Sequence, residues 1–214
     1  MQSSLDIRPD TESAQDGFTQ IYGKGAPPWD TGRPQPPYVA VADRVLGPVL
    51  DAGCGTGSTS LFFAGRGLSV TGIDFVEQAI VRGRARAVER GLSVDFLVKD
   101  AMTLVDWDRR FRSVIDSGLF HIYHGADQAR YVAGLTHVTE PGGRLFLFSF
   151  SSEEPGPEGG FSEDDVRTAF AGGWDLESAE ITRGELNPAF VADHPAHYPA
   201  PGPKMLFAIL RRRG

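Results

Sequence analysis

The sequence has one cysteine, no long apolar run and no excess of positive charge, and each absence excludes a class of protein. Cys54 is the only cysteine among 214 residues, so an internal disulfide is excluded and a reducing, cytoplasmic location is expected. No segment approaches the roughly 18 apolar residues that span a bilayer. The polar, acidic stretch before Gly17 also lacks the basic and apolar order of a signal peptide.

The charge balance limits the partners further. Lys and Arg number 21 against 28 Asp and Glu, a formal net charge of −7, which disfavours nucleic acid and anionic membranes as partners. The chain is 41% hydrophobic, which excludes intrinsic disorder. A chain of this length forms one ordinary domain and buries roughly 70% of its unfolded surface. We therefore expect a single domain that binds a small molecule.

Short apolar stretches alternate with helical ones along most of the chain. Strands are predicted at 49–52, 68–73, 94–98, 111–115, 144–150, 174–182 and 205–210, and helices at 16–22, 38–46, 58–65, 76–90, 126–138 and 162–170. The alternation predicts an α/β fold: one Rossmann-like, doubly wound, mostly parallel seven-stranded sheet with an antiparallel last strand. Residues 1–47 are expected to form N-terminal helices and a Pro-rich lid, and residues 48–214 the core of the same structural domain.

Three local patterns need separate interpretation. Ten of the fifteen prolines lie in Pro27–Pro37 and Pro188–Pro203, which predicts two stiff loops, although the second could be a plain surface connection. Pro141–Gly143 is predicted to form a turn. The helix after Val76 carries several arginines, which are expected to form a solvated face. These are Arg82, Arg84, Arg86 and Arg90.

Four successive predicted strands end in aspartate. In parallel sheets, ligands bind beyond the carboxyl ends of the strands, so Asp51, Asp74, Asp100 and Asp116 are expected along one crevice. Carboxylates repel one another unless a cation or hydrogen-bond donors lie between them. The alternative is that each aspartate caps a helix or a turn.

The glycine-rich stretch Gly53–Gly57 offers two interpretations. A dinucleotide fingerprint requires a third glycine where Ser58 stands, and Asp51 would repel a pyrophosphate, which argues against an NAD-dependent oxidoreductase. Asp74 lies 23 residues after Asp51, at the end of the second strand, where it could bind a ribose diol. This combination suits a nucleoside that carries positive charge and no phosphate.

The stretch VLDAGCGTG, with an acid closing the next strand, resembles motif I of class I S-adenosylmethionine (SAM) dependent methyltransferases, and the likeness extends over 49–150. It implies SAM as cofactor and S-adenosylhomocysteine (SAH) as product. Gly53 and Gly55 would approach the methionine part, Gly57 would also contact the cofactor, Asp51 would favour the cation, and Asp74 would bind both ribose hydroxyls. The adenine would meet the following residues: Phe75, Asp100 and the Ala101 N–H.

The segment PPWDTGRPQP resembles the W-D-x-G-x-P-x-P stretch of the thiopurine and halide/thiol methyltransferase group. That likeness implies that Trp29, with Tyr22 upstream, covers the cofactor and walls the substrate pocket. The group methylates small soft nucleophiles, and bacterial relatives act on quinols, heterocycles or natural products. The alternative is a proline-stiffened loop whose Trp29 fills the core.

The segment after the fourth strand would face the transferred methyl group. Asp116 and Ser117 are expected at the cofactor, and Phe120 and Tyr123 at the substrate. His121 is the candidate general base, since an imidazole with a pKa near neutral accepts a thiol or phenol proton, although an ordinary hydrogen-bonded histidine fits equally. His197 is expected at the substrate from the second Pro-rich loop, and no metal ion is expected.

These patterns predict an enzyme that transfers a methyl group from SAM to a small molecule. A thiol or other soft nucleophile is the first expectation for the acceptor. The alternative is O- or N-methylation of a phenolic or heterocyclic natural product. A non-catalytic SAM-binding protein ranks third, because no motif is degraded.

Overall fold

The computed structural model describes residues 11–156, 159–193 and 202–214. The strands are β1 (Val49–Ala52), β2 (Val70–Asp74), β3 (Asp95–Val98), β4 (Phe111–Ser117), β5 (Thr139–Phe150), β6 (Trp174–Arg183) and β7 (Lys204–Arg212). They form one sheet of seven strands in the order β3-β2-β1-β4-β5-β7-β6. Strand β7 is antiparallel to both β5 and β6, whereas the pairs among β1 to β5 are parallel, which confirms the predicted fold class.

Seven helices flank this sheet in the described parts of the chain. They are α1 (Thr11–Lys24), α2 (Pro36–Ala40), α3 (Ser58–Gly65), α4 (Glu77–Glu89), α5 (Gly125–Val138), α6 (Glu163–Ala169) and α7 (Pro188–Asp193). Single 3-10 turns lie at Ala42–Arg44, Ala101–Asp106 and Phe120–Ile122. None of the described helices is long and apolar enough to cross a bilayer.

The central strands are covered on both faces, which explains their continuous apolar sequences. All four residues of β1 are buried, and α4 packs on the sheet through its small and apolar face. Ala52 of β1 lies opposite Ile73 of β2 and Asp116 of β4. The carboxyl ends of these three strands therefore meet at one edge, where a ligand crevice is expected.

Two local predictions are wrong. The helix predicted at 38–46 is a five-residue helix, because Val41 leaves the helical conformation and a separate 3-10 turn follows. Pro141–Gly143 lies inside β5 rather than in a turn between elements. Phe111 pairs with Thr139 whereas Ser113 pairs with Arg144, so the extra residues of β5 bulge out of the ladder.

Candidate active site

The loop between β1 and α3 forms the floor of the predicted cofactor site. Gly53, Gly55 and Gly57 have φ angles of 71°, 53° and 81°, in the left-handed region that favours glycine. At Gly55 a Cβ would also lie 2.7 Å from the Tyr22 hydroxyl oxygen, so the position requires glycine for space as well. Because glycine has no side chain, a ligand is able to approach the backbone of this loop closely. The predicted contacts of the three glycines with the cofactor remain predictions.

Asp74 fixes the shape of this loop from the end of β2. Its Oδ2 accepts a hydrogen bond from the Gly55 N–H at 2.9 Å, and its Oδ1 accepts one from the Val76 N–H at 2.9 Å. Burial raises the pKa of the Asp74 carboxyl to about 6, and the two backbone bonds partly offset that rise. Each oxygen keeps a lone pair, so the carboxylate is able to accept the two hydroxyls of a ribose.

The expectation of four aspartates lining the crevice is corrected by their burial. Asp51 is 1% exposed and Asp116 is 0% exposed, so neither side chain lies on the crevice surface. Asp51 Oδ2 accepts from the Ser60 hydroxyl at 2.6 Å, and its Oδ1 is buried and has no hydrogen-bond partner among the residues that the structure describes. Burial, with smaller contributions from Asp116 and Asp74, raises the pKa of Asp51 to about 7, and the hydrogen bonds from Ser60 act in the opposite direction. Asp51 therefore acts beneath the loop rather than beside a ligand.

Asp116 organises the segment that follows β4. Its Oδ1 accepts from the backbone N–H groups of Leu119 and Phe120, at 2.8 and 3.2 Å, and its Oδ2 accepts from the Tyr131 hydroxyl at 2.8 Å. Burial raises the Asp116 pKa to about 6, and these bonds act in the opposite direction. The prediction of a direct cofactor contact by Asp116 is therefore corrected, because its carboxylate is enclosed and already bonded.

The predicted adenine side lies where β3 ends. Asp100 is exposed and precedes the 3-10 turn Ala101–Asp106. Its Oδ1 accepts from the Met102 N–H in that turn at 2.8 Å. Ala101 is the first residue of that turn and is buried. Phe75 is half-buried and meets Phe18 of α1 edge-on, with ring centroids 5.9 Å apart. Asp100 and Phe75 are thus accessible to a ligand, as their predicted roles require.

Tyr22 and Trp29 lie over the glycine loop. The Trp29 Nε1 donates to the Tyr22 hydroxyl at 3.1 Å, and Phe18 packs edge-on against Trp29 at 5.7 Å. Tyr22 is 3% exposed, whereas Trp29 is 40% exposed. Trp29 is therefore not a core plug, and the alternative interpretation of this loop is wrong.

Two arginines of α4, Arg82 and Arg86, bond the segment that contains these aromatics, so the predicted solvated face is corrected for this pair. Arg84 and Arg90 are exposed, as predicted. Arg82 donates to the carbonyl oxygens of Tyr22 and Gly25, at 2.7 and 2.8 Å. One turn further along, Arg86 pairs with Asp30, which sequence reasoning did not single out. The adjacency of Asp30 to Trp29 in the W-D motif was the available signal.

The residues after Asp116 divide between core and crevice. Phe120 is 0% exposed and packs against Phe161 and Phe170, with ring centroids 4.8 and 5.4 Å apart, so its predicted substrate contact is wrong. Tyr123 is 8% exposed, and burial, with Asp100 next, raises its pKa. Ser117 is half-buried at the end of β4, on the cofactor side.

His121 lies between the carboxyl ends of β4 and β5. Its ring packs against Phe150, which the sequence reasoning missed, with centroids 4.7 Å apart. Its Nδ1 is buried and has no hydrogen-bond partner in the described structure. Burial, with a smaller contribution from His124, lowers the His121 pKa to about 4. The near-neutral pKa expected of a general base is thus corrected: the imidazole is neutral at pH 7.

The residue just before the second Pro-rich segment contacts the first Pro-rich loop. The Asn187 N–H donates to the Pro28 carbonyl oxygen at 2.7 Å, which joins the segment before α7 to the first Pro-rich loop. His197, the predicted substrate contact, lies outside the described residues. Among the described residues, no three His, Cys, Asp or Glu side chains come close enough together to hold a metal ion.

The donors and acceptors at this edge fit SAM. Asp74 offers a ribose acceptor, the glycine loop offers an open backbone, and the unpaired Asp51 Oδ1 lies below that loop. A carboxylate with no counter-charge in a buried position is stabilised by a nearby cation. The site therefore suits a positively charged nucleoside better than an anionic dinucleotide.

The comparisons with known proteins agree with this chemistry. A family model described as "Methyltransferase domain" matches residues 49–143. The 2-heptyl-1-hydroxyquinolin-4(1H)-one methyltransferase of Mycobacteroides abscessus is 33% identical over 188 residues, which cover 81% of this chain and 82% of that protein.

Two solved structures share the fold. One, titled "Conversion of a Disulfide Bond into a Thioacetal Group during Echinomycin Biosynthesis", is 34% identical, covers 93% of each chain and has a TM-score of 0.78. The other is a 1,6-didemethyltoxoflavin-N1-methyltransferase of Burkholderia thailandensis with bound SAH. It is 22% identical, covers 100% of this chain and 94% of that one, and has a TM-score of 0.74.

Proposed function

The chain belongs to the class I SAM-dependent methyltransferases, and from that premise we propose that it methylates a ring-bound oxygen or nitrogen of a planar heteroaromatic small molecule. The acceptor class is the new element, since SAM dependence and a small-molecule acceptor follow from the family. This acceptor was the second expectation from the sequence. A cytoplasmic location likewise stays a prediction.

The unpartnered His121 Nδ1 carries the proposal. A buried polar atom without a partner costs about 1–3 kcal/mol, so a ligand that hydrogen-bonds there gains that free energy. The neighbouring surfaces are flat rings: Phe150 lies against His121, and Phe161 is stacked on His124 with centroids 6.4 Å apart. A planar acceptor with a ring-bound O–H or N–H fits both features. The hydroxyquinolone relative supports the same class.

The residues of this chain perform four tasks in the proposed reaction. Bound SAM supplies a methyl group already activated on a positively charged sulfur. Asp74 and the glycine loop hold the donor in place, while Tyr22 and Trp29 cover it and exclude water. His121 accepts a hydrogen bond from the acceptor and so orients the attacking lone pair.

His121 is a weak base, which restricts the acceptor. With its pKa near 4, removing the proton of a phenol of pKa near 10 costs about 8 kcal/mol, at 1.36 kcal/mol for each pKa unit. We therefore expect an acceptor that ionises near neutral pH or that attacks before its proton leaves. Acidic ring hydroxyls and ring nitrogens satisfy this condition.

A sulfur acceptor is the second candidate. A thiol with a pKa near 8.5 is partly ionised at neutral pH and needs no strong base. The 34% identical structure, whose title names conversion of a disulfide bond into a thioacetal group, supports this acceptor. So does the PPWDTGRPQP likeness, and membership of the thiopurine and halide/thiol group remains a proposal that rests on that segment.

A SAM turnover screen decides between the two acceptors. The panel contains hydroxyquinolones and phenols of graded pKa, ring N–H heterocycles, aromatic thiols and alkyl thiols, and SAH formation is measured. We expect turnover of the acidic ring hydroxyls or N–H heterocycles, with rates that fall as the acceptor pKa rises. Preferential turnover of thiols would replace the first proposal with the second.

The His121→Ala variant tests the hydrogen-bond role. We expect its kcat/KM for ring acceptors to fall about tenfold or more, corresponding to loss of one hydrogen bond of roughly 1.5 kcal/mol, with unchanged SAH affinity. His137→Ala is the matched control, since His137 bonds the Trp107 carbonyl away from the crevice. Equal kcat/KM in the wild type and His121→Ala would contradict the assigned role.

A further inference from the structure

Asp30 forms a buried ion pair in the lid segment, which we define as residues 27–35. Its side chain is 3% exposed, and its two carboxylate oxygens accept from the two Arg86 Nη atoms of α4 at 2.9 and 3.1 Å. A carboxylate that is removed from water requires such a partner, because desolvation of an unpaired charge is unfavourable. The Asp30–Arg86 ion pair therefore forms only when the lid segment lies against α4, and it holds the segment in that position.

Thr56 connects this pair to the cofactor loop. Its hydroxyl donates to Asp30 Oδ1 at 2.9 Å and accepts from Arg86. Thr56 stands between Gly55 and Gly57, so the same hydroxyl belongs to the loop that faces the donor. One carboxylate thus joins the lid segment, the glycine loop and α4.

Trp29, the residue next to Asp30, is bonded to Tyr22, and these two side chains are the ones proposed to cover the cofactor. Trp29 donates to the Tyr22 hydroxyl, and that hydroxyl lies directly over Gly55. Displacement of Asp30 would therefore move Trp29, and with it the bond that holds Tyr22 in place. Thr56 belongs to the glycine loop and Tyr22 contacts it, so both Asp30 and Trp29 are connected to the same loop.

The other end of the lid segment is fixed separately. Gln35 exchanges two hydrogen bonds with Glu185: its Nε2 donates to the Glu185 carbonyl at 2.9 Å, and its Oε1 accepts from the Glu185 N–H at 2.8 Å. This attachment lies after β6 and makes no contact with the glycine loop among the described bonds. The Asn187 bond to Pro28 likewise attaches the segment to the chain after β6, whereas the Asp30 contacts attach it to the glycine loop and to α4.

We propose that Asp30, Arg86 and Thr56 form a latch that positions Trp29 and Tyr22 over the donor, so that lid closure and the SAM-binding shape of the glycine loop occur together. The three are positioning residues, since they act through Trp29, Tyr22 and the loop backbone. The proposal rests on SAM binding and is independent of the acceptor class.

The test uses the full chain with Trp107→Phe and Trp174→Phe, which leaves Trp29 as its only tryptophan. SAH is titrated while Trp29 fluorescence is recorded, and SAH affinity is measured independently by calorimetry. The variants are Asp30→Asn, Arg86→Gln, their double variant, Thr56→Val and Thr56→Ser. Arg84→Gln is the control, since Arg84 lies on the same helix and bonds the Phe96 carbonyl instead.

We expect Asp30→Asn, Arg86→Gln and Thr56→Val each to weaken SAH binding. If the closed lid falls to about one tenth of the population, the apparent Kd rises about tenfold. The Trp29 response to SAH should shrink in the same variants. The loss in the double variant should be smaller than the sum of the two single losses, because each single variant already removes the Asp30–Arg86 contact. Thr56→Ser, which keeps the hydroxyl, and Arg84→Gln should resemble the parent.

A purely structural role gives a different pattern. In that case the variants unfold at lower temperature, yet the folded protein binds SAH with the parental Kd and the parental Trp29 response. Additive losses in the double variant, or a Thr56→Ser variant as weak as Thr56→Val, would also overturn the latch. Because SAH alone is the probe, failure of the latch is distinguishable from failure of the proposed acceptor.

Discussion

Replacement of Asp74 by asparagine tests the ribose assignment most directly. In the wild type each carboxylate oxygen accepts one backbone N–H, from Gly55 and from Val76, both at 2.9 Å. Asparagine retains one acceptor oxygen, so one N–H group would face an NH₂ group instead. The ribose would also lose a charged acceptor, whose hydrogen bond is worth about 1.5–3 kcal/mol.

The ribose contribution alone predicts an increase of about 10- to 150-fold in the SAH dissociation constant for Asp74→Asn, from 1.5–3 kcal/mol at 1.36 kcal/mol per tenfold. The strained loop should add to this loss. Isothermal calorimetry with SAH at pH 8 measures it. Asp106→Asn is the control, because Asp106 is exposed at the far end of the 3-10 turn after β3.

The pH dependence of binding provides a second test of the same residue. Burial raises the Asp74 pKa to about 6, so protonation below that pH removes the charged acceptor. Wild-type SAH affinity should be constant above about pH 7 and should fall about tenfold per unit well below pH 6, if binding requires the carboxylate. The fall attributable to Asp74 should be absent in Asp74→Asn. Affinity within threefold of the wild type at pH 8, or an unchanged pH profile, would refute the reasoning.

Two further predictions concern the loop and its support. Gly55→Ala should abolish measurable SAH binding, because a Cβ at this position lies 2.7 Å from the Tyr22 hydroxyl oxygen. Gly67→Ala is the control: Gly67 also has a positive φ, of 83°, but a Cβ there meets no neighbouring atom. Gly67→Ala should lower the unfolding free energy by only about 1–2 kcal/mol and retain SAH affinity. Tyr131→Phe should lower the unfolding free energy by roughly 1–3 kcal/mol, since it removes the buried bond to Asp116. Calorimetry with SAH and urea unfolding check these outcomes, and unchanged stability in Tyr131→Phe would contradict the structural role of Asp116.

The sequence predicted a crevice at the ends of β1 and β2 because the signals for it are local. A strand that ends in Asp74, a turn that needs glycine at Gly55 and a helix that begins at Ser58 depend on residues adjacent in the chain. The same locality explains the wrong element boundaries. The bulge in β5 depends on the pairing of β5 with β4. Pro141–Gly143 has the composition of a turn, and that composition does not reveal that the neighbouring residues pair with β4.

Burial changed the roles of residues that the sequence had treated alike. Asp51 and Asp116 resemble Asp74 in pattern, yet their carboxylates are enclosed: Asp51 bonds Ser60 of α3, and Asp116 bonds the segment after β4. His121 was expected to have an ordinary pKa, and burial, with a smaller contribution from His124, makes its imidazole neutral at pH 7. The burial of a side chain depends on which helices and strands pack around it. A pattern of neighbouring residues in the sequence does not contain this information.

The sequence by itself determined the doubly wound fold, the glycine loop, an aspartate at the end of β2 and the absence of an internal disulfide, because composition, periodicity and turn chemistry act over a few neighbouring residues. Only the tertiary structure decided which carboxylates face the crevice and which groups hold the lid. Asp30 and Arg86 are 56 positions apart, and their pairing follows from the packing of the lid segment on α4. Desolvation and long-range contacts are properties of the folded chain, and they assign these residues their tasks.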